Sequence, residues 1–171
     1  KSMQMSSLKD SFLNFCDQNN FEKNINQIKI LEILINFLNP KKKYLNFFSK
    51  QKKISCFYLY GGVGVGKTMI LNFFYDFLYI PKTRLHFNEF MINFHNYRHK
   101  MKNEDNSLFA FVKSLKKYQI IYLDEFQVTN IVDAMILGKL FETIFNENIK
   151  IILTTNTKID DLYRDGLQRE Q

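Results

Sequence analysis

The sequence is poor in the residues that define several protein classes. Its 171 residues include two cysteines, two prolines, six glycines and no tryptophan. The spacing of Cys16 and Cys56 matches no metal or redox motif, and a reduced, intracellular setting is the simplest interpretation. No apolar run approaches the ~18 residues of a membrane span, and residues 1–20 lack the apolar centre of a secretory signal.

Arginine is scarce as well, so the net charge of +7 comes mainly from lysine. A basic balance is compatible with nucleic-acid binding. However, Lys, Asn, Ile, Phe and Tyr are abundant together while Gly, Pro and Ala are rare, a skew typical of A/T-rich codons. Lysine clusters in residues 41–53 flank aromatic side chains. We interpret this segment as a solvated basic connector, and a surface for polyanions is the alternative.

Most of the six glycines fall in the segment 61–68, which reads GGVGVGKT and completes the phosphate-loop pattern G-x-x-x-x-G-K-[ST]. The glycines let the backbone curl so that its N–H groups face phosphate oxygens. Lys67 is expected to reach the β- and γ-phosphates, and the Thr68 hydroxyl to bind Mg²⁺. The residues predicted to contact the nucleotide are Gly61, Gly62, Val63, Gly64, Val65, Gly66, Lys67, Thr68 and Met69.

The motif requires a strand before it and a helix after it. Residues 54–60 are a β-branched and aromatic run of strand length, and residues 67–79 carry apolar side chains with a helical period. The alternative is a glycine-rich turn that binds nothing. Because both flanking elements are predicted, we favour a nucleotide-binding loop.

Predicted strands and helices alternate along the rest of the chain. Their order is helix 24–39, connector 41–53, strand 54–60, helix 67–79, strand 84–87, helices 89–101 and 107–117, strand 119–123, helix 130–147, strand 149–154 and a short helix near 159–164. This alternation predicts an α/β fold with a mostly parallel sheet between helices, and ligands bind such sheets at the carboxyl ends of the strands. We divide the chain into a helical extension with its basic connector, 1–53, and a core, 54–171.

A second pattern is an apolar strand that ends in two carboxylates, Asp124 and Glu125. In a phosphate-loop enzyme, Asp124 would hold the Mg²⁺ shell and Glu125 would act as general base toward the attacking water. Any strand can end in acidic residues, so the pattern is weak alone. Beside the phosphate loop it predicts a nucleotide site, and Glu125 favours hydrolysis over simple binding.

The strand before Asn156 ends in polar residues too. If that strand lies beside the Asp124 strand, the Asn156 amide can orient water near the γ-phosphate, and a turn cap is the alternative. Of the next arginines, we favour Arg169 over Arg164 as a finger that reaches a neighbouring subunit's nucleotide. A surface role is the alternative.

The histidines give no clear metal motif. His95 and His99 share one face of a predicted helix, but zinc would need further ligands and no H-E-x-x-H pattern is present. His86 falls in the predicted second strand, where we expect a structural role.

Four segments taken together resemble the ZapE-type, AFG1-like family of AAA+ ATPases. They read GGVGVGKTMILNFFYDF (61–77), LHFNEFM (85–91), LDEFQVTNIVDAMILGKLFETIF (123–145) and DLYRDGLQRE (161–170). The likeness runs from about residue 26 to the end of the chain. The family comprises bacterial cell-division ATPases and a mitochondrial branch involved in inner-membrane protein homeostasis.

The resemblance implies a P-loop NTPase core of the AAA+ class that uses ATP and Mg²⁺. By resemblance the site consists of a nucleotide motif (Lys67, Thr68), a metal and base pair (Asp124, Glu125), a first sensor (Asn156) and a finger (Arg169). The family often has Asp where this chain has Asn130, and a helix N-cap tolerates either residue. The family also continues into a last core strand and a helical lid, so a chain ending at Gln171 is expected to be a fragment or open on its lid side.

Three functional hypotheses follow. The first is an ATP hydrolase, acting as a homo-oligomer, that remodels or regulates a protein partner such as the division ring. It would be cytoplasmic and peripheral to the inner membrane, with mitochondria as the alternative. The second is a nucleic-acid-directed ATPase of the helicase-loader kind, which only the basic connector supports. The third is a non-catalytic module gated by nucleotide, against which Glu125 argues.

Overall fold

Ten helices and strands alternate through the part of the chain that a computed structural model describes, residues 5–19, 25–38, 55–60, 65–102, 104–128 and 131–155. In chain order they are α1 (Met5–Gln18), α2 (Ile25–Leu38), β1 (Cys56–Tyr60), α3 (Val65–Phe77), β2 (Lys82–His86), α4 (Phe87–Lys100), α5 (Ser107–Ser114), β3 (Ile120–Asp124), α6 (Ile131–Asn146) and β4 (Lys150–Thr155). The predicted α/β alternation is confirmed, with ends that differ by up to about three residues.

The strands within these ranges form one parallel sheet in the order β1-β4-β3-β2. Tyr60 pairs with Thr155, and His86 pairs with Asp124. Because all neighbours are parallel, the carboxyl ends of the strands lie along the same edge of the sheet. The segment 61–64, which opens the phosphate loop, follows β1 from this edge, but it lies outside the described residues.

Contacts divide the chain into two compact units. One consists of residues 1–53 and 64–79, and the other of residues 54–63 and 80–171. The first unit holds α1, α2 and α3, and the second holds the sheet with α4, α5 and α6. The predicted division into 1–53 and 54–171 stays a prediction.

The core of the sheet unit lies between one face of the sheet and its three helices. The strands supply alternate residues such as Ile121, Leu123, Ile151 and Leu153, all fully buried. The helices supply most of the aromatic side chains, which are Phe87, Phe90, Phe94, Phe111 and Phe141. β3 is buried on both faces, because Ile120 and Tyr122 are inaccessible as well. Its apolar run therefore reads as a central strand of a covered parallel sheet.

Buried apolar residues recur with a helical period in the helices of the first unit. Ile70, Leu71 and Phe74 of α3 are fully buried at helical spacing. Helix α1 is not among the helices predicted from the sequence, because most of its residues are polar. Its signal was the four-residue spacing of Leu8, Phe12 and Cys16, all of which are buried.

Two further observations concern the reactivity of Cys56 and the ability of the helices to cross a membrane. Burial raises the pKa of the Cys56 thiol to about 12, so this cysteine stays protonated and unreactive at neutral pH. Within the described residues, every helix falls short of the length and apolarity that a bilayer span needs. The basic connector 41–53 and the short helix predicted near 159–164 lie outside the described residues.

Candidate active site

Asp124 and Glu125 lie where the sequence predicts them, at the carboxyl end of the central strand β3. The buried run of Ile120 to Leu123 ends at Asp124, whose side chain is 21% exposed. The next side chain, Glu125, is 74% exposed. The strand therefore delivers one partly covered and one open carboxylate to the edge of the sheet at which ligands bind in folds of this type.

The backbone turns sharply at Glu125, directly after β3. Glu125 has φ of 54°, in the left-handed region, where a residue other than glycine is uncommon. On its far side, the Phe126 N–H donates to the Thr154 carbonyl of β4 at 2.7 Å. The Phe126 ring is fully buried against Phe87, with ring centroids 4.7 Å apart. Because both neighbours are held, the turn projects the Glu125 carboxylate out of the sheet.

The guanidinium of Arg84, in β2, donates two hydrogen bonds to the Asp124 carboxylate. Its Nε donates to Oδ2 at 2.7 Å, and its Nη2 donates to Oδ1 at 3.1 Å. Such a fork is charge-assisted and geometrically specific. Arg84 lies opposite Tyr122 in the register, and its guanidinium carbon is 4.4 Å from the centre of the Tyr122 ring. The guanidinium is thus fixed by both an anion and an aromatic face.

The imidazole of His86, also in β2, approaches the other carboxylate. The Nδ1 atom of His86 lies 3.5 Å from an oxygen of Glu125. The His86 side chain is 58% exposed, and a contact this long and this open is weak. His86 was expected to be structural, yet its side chain lies at the open edge of the sheet rather than in the core.

Tyr122 forms the buried floor beneath Asp124. Burial, and secondarily the negative charge of Asp124, raise the pKa of Tyr122 to about 12. The phenol therefore stays protonated at any physiological pH and adds no charge to the site. Its hydroxyl interacts with the side chains of Thr154 and Asp124. A neutral floor leaves Asp124 and Glu125 as the anionic groups of this edge.

The residues of the phosphate loop are described in part. Helix α3 begins at Val65, so Lys67 and Thr68 belong to its first turn, as predicted. The Thr68 side chain is exposed and lines a cavity of about 720 Å³ within the helical unit, together with Met69 and Phe73. A helix N-terminus carries partial positive charge and unpaired N–H groups, which suit an anion.

The strand that precedes Asn156 lies beside β3, which fulfils the condition set for its sensor role. Asn156 directly follows the last residue of β4. Asn156 itself, Arg164 and Arg169 lie outside the described residues, so their roles stay predictions.

The carboxylate oxygens at this edge of the sheet suit Mg²⁺ better than a metal ion whose ligands all come from protein side chains. Within the described ranges, no group of three or more His, Cys, Asp or Glu side chains could hold a metal ion. Mg²⁺ needs no such group, because it keeps several waters and binds through one or two carboxylates together with substrate phosphates. Asp124, an oxygen donor with an open side, suits that role. The Nε2 atom of His95 lies 3.1 Å from a carboxylate oxygen of Asp133.

Sequence reasoning missed Arg84 and His86 as members of this site. Arg84 is 40 residues away from Asp124 in the chain. A signal was present in the alternation of β2, since Arg84 and His86 share one face and approach the carboxyl end of their strand. The missing fact was that β2 pairs with β3, which brings that end against the carboxylates.

Solved structures with the same fold include replication initiation proteins. Domain III of DnaA from Thermotoga maritima superposes with a TM-score of 0.57 at 17% identity, over 86% of this chain and 59% of that one. AMPPCP-bound DnaA from Aquifex aeolicus gives a TM-score of 0.54 at 19% identity, over 88% of this chain and 44% of that one. This similarity identifies the fold as the P-loop AAA+ type.

Curated relatives are similar in sequence over most of the chain. Lactation elevated protein 1 homolog B from Danio rerio is 36% identical over 147 residues, which cover 78% of this chain and 29% of the relative. Cell division protein ZapE from Escherichia coli (strain K12) is 37% identical over 125 residues, which cover 71% of this chain and 33% of the relative. The chain thus spans about a third of the length of these relatives. The sequence model of the AFG1-like ATPase matches residues 14–171, and the chain therefore belongs to the AFG1-like ATPase family.

Proposed function

We propose that this chain is the nucleotide-hydrolysing core of an AAA+ ATPase and that it cleaves ATP with Mg²⁺. The observation that carries the proposal is the carboxylate pair Asp124 and Glu125, which the central strand β3 presents at the carboxyl edge of the sheet. A family of ATPases and an AAA+ fold support the same chemistry.

The two carboxylates take different roles because their surroundings differ. Asp124 accepts hydrogen bonds from Arg84 and is partly covered, so its carboxylate is held in place. A fixed carboxylate suits the water shell of Mg²⁺ as a hydrogen-bond acceptor. Glu125 is open to solvent, so it is available to accept a proton from an attacking water. Lys67 and Thr68, in the first turn of α3, are proposed to hold the phosphates and to complete the metal site.

Asn156 is proposed to orient the attacking water as a first sensor. It follows β4, the strand beside β3, and its amide offers both a donor and an acceptor. Mg²⁺, when bound, supplies charge neutralisation for the phosphate oxygens during cleavage.

The biological role is proposed from the relatives. Similarity to a protein named for cell division suggests that hydrolysis remodels or regulates a protein partner of the division machinery. We place the protein in the bacterial cytoplasm, peripheral to the inner membrane, and a mitochondrial site is the alternative. Co-purification of partners with a Glu125→Gln variant, which is expected to accumulate the ATP state, tests this. Recovery of DNA instead, in a salt-sensitive manner, would favour a helicase-loader role.

The hydrolysis proposal is tested by phosphate release from the purified chain. With ATP and Mg²⁺ we expect steady release, and chelation by EDTA should lower the rate at least about 100-fold, because the metal provides several kcal/mol of transition-state stabilisation. Restoring Mg²⁺ should restore the rate. Absence of hydrolysis by a folded, nucleotide-bound chain would contradict the proposal and support a nucleotide-gated binding module.

Arg169 is proposed as a finger that completes a neighbouring subunit's site in a homo-oligomer. Arg169→Ala should then lower hydrolysis by about 10³-fold or more, whereas the matched change Arg164→Ala should have little effect. Mixing Arg169→Ala with Glu125→Gln subunits should restore part of the rate, because a Glu125→Gln subunit can donate its intact Arg169 to the site of an Arg169→Ala neighbour. If no mixing ratio restores activity, the finger does not act in trans.

A further inference from the structure

The fork between Arg84 and Asp124 occupies the carboxylate to which metal binding is assigned. Both oxygens of Asp124 accept hydrogen bonds from the guanidinium, at 2.7 and 3.1 Å. A carboxylate offers about four lone-pair sites, so the fork uses about half of its acceptor capacity. The remaining lone pairs still allow contact with a metal-bound water, but the negative charge of Asp124 is already balanced.

Arg84 is placed for this contact by the sheet and not by Asp124 alone. It belongs to β2, in register with Tyr122, and its guanidinium carbon lies 4.4 Å from the centre of that ring. A planar guanidinium stacked on an aromatic face loses little further freedom when it binds a carboxylate. The fork is therefore pre-arranged, and it does not need nucleotide or metal to form.

The exposure of the pair makes the contact adjustable. The Arg84 and Asp124 side chains are 30% and 21% exposed, so water screens their attraction and the fork can loosen at modest cost. The adjacent carboxylate, Glu125, has His86 at 3.5 Å. A divalent cation that approaches this edge alone thus meets a carboxylate, Asp124, whose charge Arg84 already balances.

A cation that is already bound to nucleotide encounters a different balance of charges at this edge of the sheet. The phosphates carry several negative charges, supply further oxygen ligands for Mg²⁺, and are themselves attracted by a guanidinium. The positive charge that repels a lone cation therefore does not oppose a cation bound to nucleotide.

We propose that Arg84 is a positioning residue that prevents Asp124 from capturing a divalent cation on its own, so that metal and nucleotide bind together. The inference rests on the proposed role of Asp124 in metal binding. In this role Arg84 acts through its hydrogen bonds to Asp124. Its effect is on the affinity for the metal ion in the absence of nucleotide, and this affinity is measurable without hydrolysis.

The test is the affinity of the nucleotide-free chain for Mn²⁺, measured by the paramagnetic resonance signal of the free ion. Wild type is expected to bind Mn²⁺ weakly. Arg84→Gln should tighten binding about tenfold, because it removes a unit positive charge that lies a few ångströms from the site and repels the cation. Arg84→Lys keeps the charge and should stay within about twofold to threefold of wild type.

Two controls separate the fork from general electrostatics. Lys82→Gln removes the same charge from the same strand and should change Mn²⁺ affinity by less than about twofold. Adding Asp124→Asn to Arg84→Gln should abolish the gain, because the uncovered site is the carboxylate itself. Arg84→Leu provides a second neutral variant, and thermal unfolding identifies any variant that does not fold.

The coupling between ligands gives a second reading. AMPPCP should raise the Mn²⁺ affinity of wild type much more than that of Arg84→Gln, and Mn²⁺ should raise AMPPCP affinity by the same factor. If folded Arg84→Gln and Arg84→Leu bind Mn²⁺ as wild type does, the proposal is overturned. If Asp124→Asn leaves Mn²⁺ affinity in the presence of AMPPCP unchanged, the metal role of Asp124 itself fails, which is a distinguishable result.

Discussion

Replacement of Glu125 by glutamine is expected to lower steady-state ATP hydrolysis by about 10²–10⁴-fold, while ATP affinity stays within about twofold of wild type. The amide has nearly the shape of the carboxylate but cannot accept the proton of the attacking water. Glu125 is 74% exposed and has no place in the core, so the fold should be unaffected. Phosphate release and titration with a fluorescent ATP analogue measure the two quantities separately.

The matched control is Glu142→Gln. Glu142 is an exposed glutamate of α6, in the same unit of the structure, and its replacement changes the net charge equally. We expect this control to hydrolyse ATP at the wild-type rate. Equal rates for wild type and Glu125→Gln would rule out Glu125 as general base, and loss of ATP affinity in Glu125→Gln would mean that the carboxylate acts in binding.

Replacement of Lys67 by alanine should weaken ATP binding by at least about 100-fold, which corresponds to roughly 3 kcal/mol. Lys67 belongs to the first turn of α3, directly before Thr68, and is proposed to neutralise the β- and γ-phosphates of ATP. On this proposal, removal of the ammonium group would leave the γ-phosphate without its counter-charge. The dissociation constant from an equilibrium titration with a fluorescent ATP analogue is the relevant measurement.

Lys113→Ala serves as the control for that experiment, since Lys113 is an exposed lysine of α5. It should bind ATP as wild type does. Far-UV circular dichroism of both variants excludes unfolding as the cause of a lost signal. An unchanged dissociation constant in Lys67→Ala would contradict the assignment of residues 61–68 as the nucleotide loop.

Strong local patterns made most of the sheet predictable. The apolar run before Asp124 is followed by carboxylates, and β3 indeed ends at that residue. The condition that the Asn156 strand lies beside β3 is also confirmed. Both follow from general rules, because a buried parallel strand reads as a continuous apolar segment and polar residues accumulate at its carboxyl end.

The features that escaped prediction depend on pairing between distant segments or on backbone geometry. Nothing local indicates that Arg84 meets Asp124, because the contact depends on which strand lies next to β3. The left-handed backbone of Glu125 was equally hidden, since glutamate is not a residue that favours this conformation. The conformation is imposed by the pairing of Phe126 with Thr154 on one side and of Asp124 with β2 on the other.

The positive φ of Glu125 places a cost in fold stability on the residue that is proposed as the general base. A side chain held in this region costs about 1–3 kcal/mol, a noticeable part of the roughly 5–15 kcal/mol by which domains are stable. Glycine would fit the same backbone without that strain. Glutamate at this position therefore carries a backbone cost that glycine would avoid, and a variant with glycine there would lack the proposed general base.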